Sequence, residues 1–378
     1  ETGLLSKWPE GGPPLAWQVE GLGGGHSSVA IADGRIFTIG ERRGGAFLIA
    51  LDQRDGRELW ATRVGQGDPN ATPTVDGELV YAIGRGGDLL CARAETGEEV
   101  WRKNFRQDFG GRMMSGWGYS ESPLIDGDRL LCTPGAQSAM IAALDKQTGE
   151  TIWTTPMRNL GDRGEDGAGY SSIVVSEAAG ERQYVQIIGR GIIGVAADDG
   201  RLLWGYNRIA NSTANIPTPI VEGDHVFCST GYGAGAALLK IVRRGNRFNA
   251  TEVYFLPGNE LQNHHGGMTF LNGHVYMGHG HNHGFPVCIN MKSGKFAWRG
   301  GRGPGSGSAA VLYADGHLYF RYQDGMMALI EATPRQYRLK GQFELPTDNG
   351  RHWAHPVIAD GRLYLRDQGA LLVYDIRE

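Results

Sequence analysis

The stretch "MIAALDKQTGETIW" (residues 140–153) is an apolar run, a polar turn closing on Gly149, and a short second run ending in Trp153. A glycine there supplies the positive φ of a tight hairpin turn. The tryptophan is a large apolar body suited to packing between neighbouring sheets. The unit returns as "LIALDQRDGRELW" (48–60), "LLCARAETGEEVW" (89–101), "IGVAADDGRLLW" (193–204) and "VCINMKSGKFAW" (287–298). A second kind of hairpin precedes these units: "SSVAIADGRIFTIG" (27–40), "TPTVDGELVYAIG" (72–84), "SPLIDGDRLLCTPG" (122–135) and "TPIVEGDHVFCSTG" (218–231). It recurs in "GMTFLNGHVYMGHG" (267–280), "SAAVLYADGHLYF" (308–320), "HPVIADGRLYLRD" (355–367) and, more divergently, "SSIVVSEAAGERQYVQIIG" (171–189). Asp-Gly or Asn-Gly between alternating apolar runs is a strong hairpin signal.

Two such hairpins make a four-stranded antiparallel meander of about 40 to 50 residues, the period of a β-propeller blade. No segment keeps a 3.6-residue apolar period, so helical repeats are excluded. The expected fold is all-β: one eight-bladed propeller over residues 1–378, with blades near 26–60, 70–101, 117–153, 168–204, 215–255, 263–298, 305–345 and 351–378. The last copy stops after three strands. "LAWQV" (15–19) at the other end of the chain is expected to supply its outer strand, which closes the ring and protects two sheet edges.

Composition narrows the function. Lys and Arg total 37 against 41 Asp and Glu, a net charge of −4, without the basic excess of a nucleic-acid binder. No apolar run approaches the roughly 18 to 20 residues that span a bilayer, so no membrane span is expected. Cys91, Cys132, Cys228 and Cys288 lie far apart in strand-like segments and suit buried structural thiols. The opening "ETGLLSKWPE" has neither a charged n-region nor an apolar h-region, as in a mature or trimmed chain. A monomer is expected.

With its "A-x-D-x-x-T-G-x-x-x-W" blade motif, best kept at 143–153, the chain resembles the PQQ-binding-like propellers. That family includes the quinoprotein alcohol dehydrogenases and the outer-membrane assembly lipoprotein BamB. Segments such as "QNHHGGMTFLNGHVYMGHGHNHGFPVC" resemble a branch common in planctomycete-type bacteria. The resemblance implies an exported protein, periplasmic or secreted. It also raises PQQ as a cofactor. Quinoprotein alcohol dehydrogenases stack an adjacent Cys-Cys disulfide on the quinone, and this chain has no such pair, so a standard PQQ alcohol dehydrogenase is not expected.

Successive turns of a meander alternate between the two faces of the disc. The Asp-Gly and xTG turns share one face. The other collects the loops between second and third strands and the crossovers between blades, and most of the histidines fall there. In "GHGHNHG" (278–284), His279, His281 and His283 occupy alternate positions, and in an extended run such side chains point the same way. With His264 they form a candidate set for Cu, Zn or Fe, for which imidazole is a common ligand. His265, Tyr119 and Glu121 are candidate catalytic residues. Arg112, Trp117, Arg190 and Trp353 are candidates for holding a cofactor or ligand, since guanidinium groups pair with carboxylates and aromatic faces stack on rings. Asp166 is a further candidate base or metal ligand.

The expected function is a His- and Arg-lined funnel binding an anionic small molecule or an acidic saccharide, with a transition metal. If the protein is an enzyme, two chemistries are open: redox turnover at the metal or a quinone, and lyase-type proton abstraction as in polysaccharide lyases. The alternative is a non-catalytic, BamB-like scaffold with a protein partner at the propeller rim.

Overall fold

In a computed structural model, which describes residues 1–347 and 350–378, the chain forms eight four-stranded antiparallel sheets. The first strands of blades one to seven are Ala30–Ala32, Thr74–Asp76, Leu124–Asp126, Val174–Ser176, Ile220–Glu222, Met268–Leu271 and Ala309–Ala314. Blade eight is built from Val357–Ala359, Arg362–Asp367 and Ala370–Asp375, and Leu15–Val19 pairs antiparallel with the last of these as its outer strand. The expected eight-bladed propeller and its closure by the two chain ends are both present. Asp33, Asn272, Asp315 and Asp360, each followed by a positive-φ glycine, take left-handed conformations at the first turns of four blades, the backbone that Asp-Gly and Asn-Gly accommodate most readily.

Hydrophobic burial runs between blades rather than within them. Phe37, Ile39 and Leu48 of blade one pack on Val80, Ala82 and Leu90 of blade two. In every sheet the pairing of the third and outer strands slips by one residue. The slip falls immediately before the tryptophan in six blades, before Tyr254 in the fifth and before Gly341 in the seventh. Such a bulge adds local twist and makes an edge strand a poor template for pairing. It also accounts for exposed apolar residues on the outer strands: Leu59, Val100, Ile152 and Val253 are the extra residues of four bulges.

After the bulge, the tryptophan lies on the turn of the next blade. A Cβ on Gly149 would come within 2.8 Å of the Trp101 ring, so this glycine answers a packing demand as well as a positive φ of 73°. The Trp101 Nε1–H donates to Lys146 O in that turn (3.0 Å). Trp17 repeats the contact across the closure, where a Cβ on Gly56 would lie 2.7 Å from its ring. The seam is further tied by Arg366 of blade eight, fully buried, which donates to Thr38 Oγ1 (2.5 Å) and Gly23 O (2.8 Å) beside blade one. The crossover after blade two contains one short helix, Phe105–Phe109, capped by the Asn104 side chain, which accepts from the Arg106 and Gln107 N–H groups. The four cysteines are buried and unpaired, with burial pushing the Cys91 and Cys288 thiols up to about 12.

Candidate functional site

The channel opens at one end into a cavity of about 690 Å³. Its lining comes from the lead-in to each inner strand and from the loops between second and third strands. Two residues before the inner strand, blades one to five carry Ser28, Thr72, Ser122, Ser172 and Thr218, all lining the cavity. They link blade to blade. The Ser28 N–H donates to Thr72 Oγ1 (3.1 Å), Thr72 N–H to Ser122 Oγ (3.3 Å), Ser122 N–H to Ser172 Oγ (3.1 Å), and Ser172 N–H to Thr218 Oγ1 (3.3 Å). Ser28 Oγ–H donates the other way, to His355 O of blade eight (2.6 Å). The file stops at blade six, which has Gly266 and Gly267 in this place.

The other sector is aromatic and imidazole-rich. Tyr232, His281, His264, His265, Trp353 and His26 follow one another with successive ring centroids 3.7 to 4.7 Å apart. Tyr232, in the second-to-third loop of blade five, has φ 56°, a costly conformation for a bulky residue. Its hydroxyl meets His264 Nε2 at 3.1 Å, and His264 Nδ1 meets Ser308 Oγ at 2.6 Å. Burial pulls His264 down to about 3 and His26 to about 4, and it also lowers His265, His281 and His355. These five cavity imidazoles are therefore uncharged at neutral pH. The described lining contains no Asp or Glu, and Arg351 is its one cation.

The structure brings Trp117, Trp353, His264, His265 and His281 to this cavity. Trp117, on blade three, is 48% exposed at the mouth. Trp353, on blade eight, donates its Nε1–H to Gln323 Oε1 (2.8 Å) and carries Arg351 over its ring (4.8 Å).

Tyr119 and Glu121 are turned away. Ser120 and Ser122 face the cavity, and alternation along an extended segment sends Tyr119 and Glu121, at the alternate positions, into the blade interior. Tyr119 OH donates to Pro134 O (2.8 Å). Glu121 accepts from Thr133 N–H (2.7 Å), Thr133 Oγ1–H (2.9 Å) and Gln186 Nε2–H (3.3 Å), and burial raises its carboxyl to about 8. Arg112 and Arg190 grip Asp166 from two sides, Arg112 at 3.0 Å, at the edge of a separate cavity of about 300 Å³. Each then serves an ion pair rather than the channel.

The histidine run is not extended. Its strand ends at His279, and the His283 N–H donates to Gly280 O (2.8 Å), closing a turn. Each imidazole then has a contact of its own. His279 Nδ1 accepts from Gln262 N–H (3.2 Å), His281 Nδ1 accepts from Tyr232 N–H (3.3 Å), and His283 lies flat on Phe285 (4.9 Å, 5°). Among the described residues, no group of three or more His, Cys, Asp or Glu side chains is arranged to hold a metal ion.

The hydroxyl file was missed in the sequence although it left a signal there, a Ser or Thr at one fixed offset in five consecutive blades. Arg351 left none.

Over residues 13–87 and 44–299 the sequence matches the family described as outer membrane protein assembly factor BamB. The chain belongs to that family. The BamB of Burkholderia pseudomallei (strain K96243) is 25% identical over 317 residues, 82% of this chain and 74% of that one. A BamB of Vibrio cholerae is 32% identical over 149 residues, 36% of this chain and 36% of its own. Among solved structures, BamB from Moraxella catarrhalis superimposes with a TM-score of 0.67 at 15% identity, covering 96% of this chain and 99% of that one. A europium-containing methanol dehydrogenase gives 0.65 at 12% identity, covering 93% and 84%. At those identities the structures share the fold.

The quinone and hard cation that the dehydrogenase branch implies do not suit this BamB-family cavity. A hard cation wants carboxylate oxygens, and none lines it among the described residues. A stacked disulfide needs adjacent cysteines, and the four thiols are buried in separate blades.

Proposed function

We propose that this BamB-family propeller is a non-catalytic binding protein whose cavity face receives a saccharide. The observation that carries it is the pairing of two flat indoles, Trp117 on blade three and Trp353 on blade eight, across a cavity edged by hydroxyls and neutral imidazoles. A sugar ring has an apolar C–H face that lies on an aromatic surface and an equator of hydroxyls that needs hydrogen-bond partners. Pockets of this size that combine apolar walls with a few fixed polar groups are the usual form of a small-molecule site. An exported location goes with this reading, in keeping with the outer-membrane assembly role in the relatives' names.

The test is a titration of intrinsic tryptophan fluorescence with neutral and uronic-acid oligosaccharides. Saturable quenching is expected, weakened about tenfold or more in Trp117→Ala and Trp353→Ala, as for loss of an aromatic anchor. No quenching by any of the sugars, or unchanged affinity in both variants, would rule the reading out.

A further inference from the structure

Thr72, Ser122, Ser172 and Thr218 each accept an N–H from the preceding blade. None of their own O–H hydrogens has an acceptor among the described residues. A hydroxyl has one hydrogen to give, and with the neighbour's N–H already on the oxygen, these four hydrogens are left for the cavity. They form an arc of donors over four consecutive blades.

The far side adds to it. His265 Nδ1 is buried and has no hydrogen-bond partner among the described residues. Arg321, wholly buried, spends Nη1 on Ala354 O (2.8 Å), and its Nε and Nη2 have no hydrogen-bond partner among the described residues. Its positive charge reaches the cavity wall, where it opposes protonation of both His26 and His355. Asp367 offsets part of that charge. With no carboxylate in the described lining, no fixed negative charge there opposes an anion.

We infer that the hydroxyl arc along the cavity wall is an oxyanion site, built to accept a carboxylate or sulfate group. Only the identity of the molecule carrying that group rests on the saccharide reading. An oxyanion presents several lone pairs to converging donors, and charge-assisted hydrogen bonds are stronger than neutral ones. Arg321 supplies positive potential without itself lining the site, Arg351 adds a guanidinium to the lining, and the hydroxyl arc supplies a row of neutral donors between blades two and five.

The experiment uses the whole protein and a Ser122→Ala/Ser172→Ala double variant, which leaves Trp117 and Trp353 in place. Calorimetry would compare a uronate trisaccharide, a sulfated trisaccharide and their neutral parent. The wild type should bind at least one acidic form about tenfold or more tighter than the parent, the size of a charged hydrogen bond or two. Which acidic form wins separates carboxylate from sulfate. The double variant should lose that preference, binding the acidic and neutral forms alike whatever affinity for the sugar itself remains. Equal binding of all three by the wild type, or a preference that survives the double substitution, overturns the oxyanion site. The same proteins should be melted in acetate and in sulfate against chloride at matched ionic strength. One of the two oxyanions should raise the melting temperature of the wild type more than that of the variant. Equal shifts also overturn the site, whereas binding of no sugar at all removes the saccharide reading and leaves this measurement standing.

Discussion

The two halves of the cavity wall are built on different principles. Across blades one to five the repeat is kept, and one small hydroxyl at one offset recurs, joined to its neighbour through the backbone. From the second-to-third loop of blade five round to blade eight the repeat is interrupted by glycines, histidines and a strained tyrosine, and large rings fill the space. The regular half repeats one small contact, so it tolerates the loss of any single one. The irregular half places one-of-a-kind side chains, packed ring against ring.

Buried titratable groups oppose one another across that divide, and pH can therefore break the comparison. The largest expected effect belongs to the imidazole half. His264 and His26 stay neutral in the folded protein down to about 3 and 4, while the unfolded chain takes up protons below about 6.5. Stability is full above pH 6.5 and falls as acid is added, by about 1.4 kcal/mol per pH unit for each group. Urea unfolding of the wild type and His264→Asn between pH 7 and 4 should show a slope shallower by that amount in the variant. An unchanged slope would mean that His264 is solvated rather than enclosed.

An effect of opposite sign, from one group rather than two, belongs to the hydroxyl half. Burial holds the Glu121 proton up to about pH 8, whereas the unfolded chain loses it near 4.5. Stability from this group is full at low pH and declines as pH rises from 4.5 to 8. Glu121→Gln should flatten the fall in melting temperature over that window, and a variant tracking the wild type would show the carboxylate already charged. The smallest effect is Ser122→Ala, which takes one acceptor from Thr72 N–H. It should cost no more than about 1 kcal/mol by urea unfolding. A loss of several would show that the file bears the ring's stability and not merely its inner edge.

Much of the fold was legible because hairpin turns and strand alternation are local. Asp-Gly and xTG turns, alternating apolar runs and the orphan "LAWQV" strand identified eight blades and their closure. The bulge ahead of each tryptophan was not legible, since the slip is a relation between two strands and leaves no residue type of its own. Of the cavity lining, Trp117, Trp353, His264, His265 and His281 lie on the face that chain position had indicated. Glu121 and Tyr119 were misjudged by a single step of alternation. Arg112 and Arg190 belong to an ion pair whose partner, Asp166, could not be assigned to them from spacing.

The sequence by itself determined the architecture and the face that carries the unusual residues, because both follow from period and turn chemistry within short segments. Tertiary structure alone decided which side chains converge. A turn at Gly280–His283 gives the histidines that spacing had grouped contacts of their own. Eight blades converging on one axis bring together hydroxyls that lie about fifty residues apart in the chain, and only ring closure gives them a common cavity.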